Sequence, residues 1–234
     1  VTDNEPVTDD EAGGAFGAEV ADIHRMFRRE FDLLPDVILA VPDGDEARAR
    51  VVGSWVWEVL DSLHHYRQAQ SSTLWPALQQ RLPSSAGDDG RPAAVVARAQ
   101  QRLAALDSPR ERAQGAALRW QDGGRATDAK QCGTTIEAMR QPLLAALDLV
   151  EWSLAPLIDR HLNGSERSAL VTAAWLGARG RRRRAILGGV LEGTREPELV
   201  LSHAPAVLRW LAAPAVVEPH VRRMTIVRQR GPID

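Results

Sequence analysis

Between residues 45 and 81, Val52, Val56, Val59, Leu63, Tyr66, Gln70, Thr73 and Ala77 recur at steps of four and three without a break. That spacing puts all of them on one face of an α-helix and on no single face of a strand. A lone amphipathic helix is marginal in water, so its apolar stripe has to be covered by other helices. Two polar side chains, Tyr66 and Gln70, fall in the middle of this stripe, where a core is expected.

Three further segments supply the cover. Val20, Ile23, Phe27, Phe31, Leu34, Ile38 and Val41 form a first stripe, in which Pro35 is expected to kink or divide the helix. Pro42-Asp43-Gly44-Asp45 reads as a turn, with Asp45 as N-cap of the second helix. After a loop over 83–92, a third helix is predicted over 93–121, with a break near Ser108-Pro109. A fourth, over 126–161, carries Ile136, Met139, Leu143, Ala146, Val150, Leu154 and Leu157 on one face. Beyond Asn163-Gly164, Ser165 is read as the cap of a helix through Leu176, followed by a Pro-punctuated helical stretch to residue 227. The expected fold is all-α: an antiparallel four-helix bundle over 17–162, a mobile acidic tail over 1–16, and a helical extension over 163–234 packed on the bundle.

Charge and composition narrow the function. A net charge of −2 gives no field that would gather nucleic acid or an anionic membrane, so neither partner is expected. The run Arg179-Gly180-Arg181-Arg182-Arg183-Arg184 is read as a solvated turn or a partner-facing patch. One cysteine, Cys132, allows no intramolecular disulfide, and the absence of a membrane-length apolar run or signal pattern makes the cytoplasm the expected location. Cys132 is placed near a helix start with no histidine close in sequence, so nothing in the sequence supports a thiol nucleophile. Trp57, Trp75, Trp152, Trp175 and Trp210 are read as packing residues, whereas periodicity assigns neither Trp55 nor Trp120. His64 and His65 lie off the stripe and are expected to be partly exposed.

Several stretches resemble one known family. Ile23-His24-Arg25-Met26-Phe27-Arg28-Arg29-Glu30-Phe31, Leu63-His64-His65 with Leu74-Trp75-Pro76, and Leu154-Ala155-Pro156-Leu157-Ile158 with His161-Leu162 are similar to bacterial hemerythrin-like, cation-binding proteins. Leu187-Gly188-Gly189-Val190-Leu191-Glu192 and Ala204-Pro205-Ala206-Val207-Leu208-Arg209-Trp210 resemble the tail of the family's actinobacterial branch. The resemblance implies a bundle interior holding two metal ions on histidines and His-x-x-x-Glu pairs. Carried over position by position, His24 survives, while the remaining ligand positions read Tyr66, Gln70, Gln101, Ala146 and Val150. Glu151 lies one position, about 100° in an α-helix, off the Ala146–Val150 face. One imidazole, a phenol and two amides provide no fixed negative charge to offset dications, so no metal and no other cofactor is expected.

The altered interior suggests a small-molecule site instead. His24 and Tyr66 are the acid–base candidates. Gln70 and Gln101 are expected to orient a carbonyl or hydroxyl, with Phe27, Val59, Leu63, Leu143, Ala146 and Val150 lining the cavity. The expected function is metal-free binding of a small, mostly apolar organic molecule, with a cofactor-independent cyclisation, isomerisation or dehydration as the chemistry. The alternatives are a non-catalytic regulatory or scaffold protein, or a residual di-iron protein handling oxygen, nitric oxide or peroxide.

Overall fold

The computed structural model describes residues 9–82, 91–163, 166–167, 188–192 and 218–228. Every ordered element among them is helical: α1 (Asp9–Leu39), α2 (Glu46–Ala69), α3 (Trp75–Arg81), α4 (Arg91–Ala104), α5 (Asp107–Gly123), α6 (Ala126–Leu149), α7 (Ala155–His161) and α8 (Glu218–Arg228). Two π-helical turns interrupt this series, Gln70–Leu74 (π1) and Val150–Leu154 (π2). None of the described helices is long and apolar enough to cross a membrane. α5 lies between α2 and α6, and α1 packs along α6. Their shared core is built from Phe27, Phe31, Leu34, Val52, Val56, Leu60, Ile136, Met139 and Leu143, all buried.

α1 starts at Asp9, so the acidic stretch expected as a tail over 1–16 includes helical residues; 1–8 lie outside the described set. Pro35 does not divide α1. The third segment does break, between α4 and α5, just ahead of Pro109. Asp45 caps α2 as expected, its side chain accepting the Arg48 backbone N–H at 2.9 Å. Ser165, expected as a cap after α7, lies outside the described residues; beside it the Asn163 side chain accepts the Glu166 N–H at 2.9 Å while Glu166 accepts the Asn163 N–H at 3.0 Å. This reciprocal pair satisfies two donors that an opening helix leaves unpaired.

The π turns change which residues the core receives. In each, the backbone N–H reaches five residues back, from Trp75 to the Gln70 carbonyl and from Ala155 to the Val150 carbonyl. A proline follows immediately in both cases, Pro76 and Pro156. Proline has no N–H and clashes with the carbonyl four residues back, so the α ladder cannot pass through it undisturbed. The extra residue rotates everything downstream. Leu74 and Leu78 are buried in place of the expected Thr73 and Ala77, and Ile158 is buried in place of Leu157.

The tryptophans follow the same lesson. Trp75 packs as expected, but Trp57 is 37% exposed and Trp152 79% exposed, the latter because it lies in π2 and points away from the core. Trp55 and Trp120 are buried. Trp175, Trp210 and the Arg179–Arg184 run lie outside the described residues. Cys132 is inside α6 rather than at its start; burial pushes its thiol up to about 12, so it is no nucleophile at neutral pH.

Two turns at one end of the molecule are tied together. The Gly44 N–H donates to the Gly124 carbonyl at 3.0 Å, and the Ala126 N–H to Asp43 at 2.7 Å. Gly124 closes α5 with φ +59°, and a Cβ there would meet the Glu46 backbone nitrogen at 3.0 Å. Gly124→Ala is therefore expected to destabilise the fold by about 1–3 kcal/mol, from left-handed backbone strain plus a contact that cannot yield. Urea unfolding of the variant beside wild type measures it; an unchanged midpoint would show that this junction is not under strain.

The described C-terminal pieces lie against α1 and α2. The stretch 188–192 approaches so closely that a Cβ on Gly188 would fall 2.5 Å from the His220 ring, and one on Gly189 would fall 2.8 Å from Met26 Sδ. Trp55 Nε1 donates to Glu30 at 2.9 Å, Arg29 donates to Glu30 at 2.7 Å, and Arg228 stands 3.6 Å from the same carboxylate. Glu192 joins the cluster through Arg29 at 3.3 Å, His220 at 3.0 Å and Arg228. Arg223 lies over the Trp55 ring and bonds Glu58 at 2.6 Å.

Candidate functional site

His24 projects from the middle of α1 and is fully buried. Its Nε2 lies 2.5 Å from the Tyr66 hydroxyl, on the last turn of α2. Its Nδ1 lies 2.7 Å from Glu151 Oε1, in π2. Arg28, one helical turn beyond His24, grips the same carboxylate with two nitrogens at 2.6 and 3.1 Å and also bonds Asp148 at 2.7 Å. The residues form one chain of hydrogen bonds: Tyr66, His24, Glu151, Arg28.

The electrostatics decide where the protons sit. Burial alone would raise the Glu151 carboxyl, but hydrogen bonds from His24 and Arg28 outweigh it and hold the group down at about 2. Glu151 is thus an acceptor only. The His24 Nδ1 must carry a proton to donate to it. Burial also lowers the imidazole below its ordinary value, against the pull of Glu151, so at neutral pH His24 is uncharged. Its Nε2 lone pair is then free to accept, and the Tyr66 hydroxyl donates. Burial, reinforced by the Glu151 charge and opposed by a hydrogen bond from Gln70, pushes the Tyr66 phenol far above its usual range, so it stays protonated.

This arrangement has the logic of a nucleophile–base–orienter triad. A carboxylate fixes one histidine tautomer, and the other ring nitrogen faces a hydroxyl whose proton it can take. Arg28 in turn fixes the carboxylate through two hydrogen bonds.

Of the residues singled out by sequence, His24, Tyr66 and Gln70 are brought together. Phe27 stands beside them, its ring 5.8 Å from that of Tyr66. Val59, Leu63, Leu143, Ala146 and Val150 are buried in the core. Gln101 is not part of the site. It is exposed, because the buried face of α4 is Val96, Ala99 and Leu103, and a residue midway between Ala99 and Leu103 points the opposite way. His65 is buried rather than partly exposed, and His64 is half-buried.

Glu151 and Arg28 are the functional residues that periodicity missed. An uninterrupted α-helix turns Glu151 off the interior face, whereas the π turn carries it to His24. The available signal was Pro156, which follows Val150 at the same distance as Pro76 follows Gln70. Arg28 was legible as the residue one turn after His24.

The metal pair implied by the family resemblance does not fit these residues. Among the described residues, no three His, Cys, Asp or Glu side chains are grouped to hold a metal ion. More directly, the interior carboxylate does exist, contrary to the expectation of no fixed negative charge, but the Arg28 guanidinium at 2.6 Å already offsets it. A dication beside Glu151 would have to displace a cation that belongs to the chain.

Comparison with protein-family models, with curated proteins and with solved structures finds no match to this chain.

Proposed function

We propose that this chain is a hemerythrin-like four-helix bundle turned to cofactor-free acid–base chemistry on a small, mostly apolar organic molecule. The observation that supports this reading is the hydrogen-bonded chain Tyr66–His24–Glu151–Arg28, with His24 uncharged and Tyr66 protonated at neutral pH.

The chemistry that suits such a chain is proton transfer. As the Tyr66 oxygen takes a proton from a C–H or O–H bond of the substrate, the Tyr66 proton passes to His24 Nε2. The imidazolium that forms is stabilised by the Glu151 carboxylate 2.7 Å away. Reversal of the relay returns the proton to another atom of the substrate. The net result is an isomerisation, with no atom gained or lost and no oxidant required. If the returned proton reaches a leaving hydroxyl, the result is a dehydration that releases water.

Deuterium uptake from D2O reads this transfer directly. Incubated with a panel of small ketones and hydroxycarbonyls, the wild-type protein is expected to catalyse exchange at the carbon next to the carbonyl. His24→Ala is expected to lose about 10²–10⁴-fold of the rate. If no panel member exchanges faster than in buffer, or if His24→Ala exchanges as wild type does, the catalytic reading fails and the non-catalytic scaffold takes its place.

A further inference from the structure

Gln70 opens π1 and is 7% exposed, yet among the described residues its carbonyl oxygen Oε1 has no hydrogen-bond partner. The orientation of the amide follows from its neighbours. The Tyr66 hydroxyl spends its proton on His24, so towards Gln70 the phenol oxygen can only accept, and the Gln70 NH2 donates to it. The Gln70 carbonyl therefore points away from Tyr66, buried and unsatisfied. Buried acceptors are seldom left that way, and each such group calls for an explanation.

The surrounding charge limits what fills the gap. Around His24 stand two carboxylates, Glu151 and Asp148, against the single guanidinium of Arg28 that binds both. The balance at the site is negative, which disfavours an anion there. The vacant group is itself an acceptor, which an anion or a bare ketone oxygen cannot satisfy.

We infer that the site takes a neutral molecule bearing an O–H or N–H donor that bonds Gln70 Oε1, next to the atom that exchanges its proton with Tyr66. The substrate class is a neutral hydroxy- or amino-carbonyl compound, discriminated from its deoxy parent and from carboxylates. This rests on the proton-transfer reading for Tyr66, whereas the donor preference itself is a matter of binding.

The test measures dissociation constants by ligand-observed NMR for three size-matched classes: neutral hydroxy- and amino-carbonyls, the same carbonyls without the donor, and the matching carboxylates. The donor-bearing class is expected to bind at least about tenfold tighter, because a site built around a hydrogen-bonding group leaves that group unpaired when the donor is missing. Gln70→Met is expected to erase the preference. The thermal melt of Gln70→Met beside wild type shows that the variant is folded, so a lost preference reports the missing acceptor. Equal binding of the first two classes, tight binding of the carboxylates, a preference that survives Gln70→Met, or no binding by any class would each overturn the inference. A Gln70-dependent donor preference without deuterium exchange would uphold this inference and remove the catalytic reading.

Discussion

Glu151→Gln is expected to cut the deuterium-exchange rate by about 10²–10⁴-fold, although it changes one oxygen into one nitrogen. The reason is charge. Glu151 Oε1 accepts from both His24 Nδ1 and Arg28, at 2.7 and 2.6 Å, and Oε2 only from Arg28, at 3.1 Å. In the variant the amide oxygen keeps the Oε1 place and both of those bonds, and the NH2 takes the Oε2 place with the loss of the longer one. The His24 tautomer is kept, but the negative charge that stabilises the imidazolium is gone.

Nitrogen-15 NMR of the ring checks that the Nδ1–H tautomer is kept, and the exchange assay gives the rate. A Glu151→Gln rate within about threefold of wild type would mean that the carboxylate plays no part in catalysis. The pH profile adds a second readout. Because burial holds His24 below 6.5, the active neutral form persists into mild acid, and the acid limb of the rate lies below pH 6.5. Removing Glu151, whose hydrogen bond and charge both raise His24, moves that limb further down.

The second large effect is on stability. Glu30→Ala is expected to cost about 3–5 kcal/mol in urea unfolding, the range for breaking a buried charge pair by deleting one partner. The Glu30 side chain is 2% exposed and meets Trp55 Nε1, Arg29 and Arg228. Its removal leaves a buried indole N–H without an acceptor and leaves Arg29 and Arg228 with Glu192 as their shared carboxylate. Intrinsic tryptophan fluorescence follows the unfolding. A loss below about 1 kcal/mol would mean that water replaces the carboxylate at little cost.

Acid weakens the neighbouring part of this cluster through Glu192. Burial works to raise Glu192, but His220 and Arg228 overcome it and hold the carboxyl at about 2, against an ordinary 4.5. The unfolded chain therefore takes up protons first, and the stability that Glu192 contributes is complete above pH 4.5 and disappears as pH falls from 4.5 through 2. Glu151 behaves in the same way over the same interval. Glu192→Gln is expected to flatten that limb of the acid-unfolding curve, as part of the same measurement.

Much of the architecture was legible in the residue spacing. The stripe from Val52 to Leu63, and that from Ile136 to Val150, are buried where a period of three and four puts them. The turn around Gly44, the Asp45 cap and the break before Pro109 were readable from local chemistry. Periodicity failed at one kind of place. Past Gln70 and past Val150 the helices slip by one residue, which moved Thr73, Ala77 and Leu157 out of the core and brought Leu78 and Ile158 into it.

The site divides along the same line. His24, Tyr66 and Gln70 were visible as polar residues on apolar faces, and their meeting follows from helices that must cover one another. Gln101 was assigned by counting along a helix, and the face that α4 actually buries excludes it.

By itself the sequence determined that the chain is helical, which stripes are buried, and that two polar groups of α2 enter the interior. These are consequences of spacing and of hydrophobic burial, which act within one helix at a time. Only the tertiary structure decided that Glu151 reaches His24, that Arg28 pairs with its carboxylate, and that Trp55 and Glu30 seat the C-terminal helix. Each of these depends on the rotation of one helix against another. Two single-residue slips, each placed by a proline, set that rotation, and a pattern that assumes one unbroken period has no way to express it.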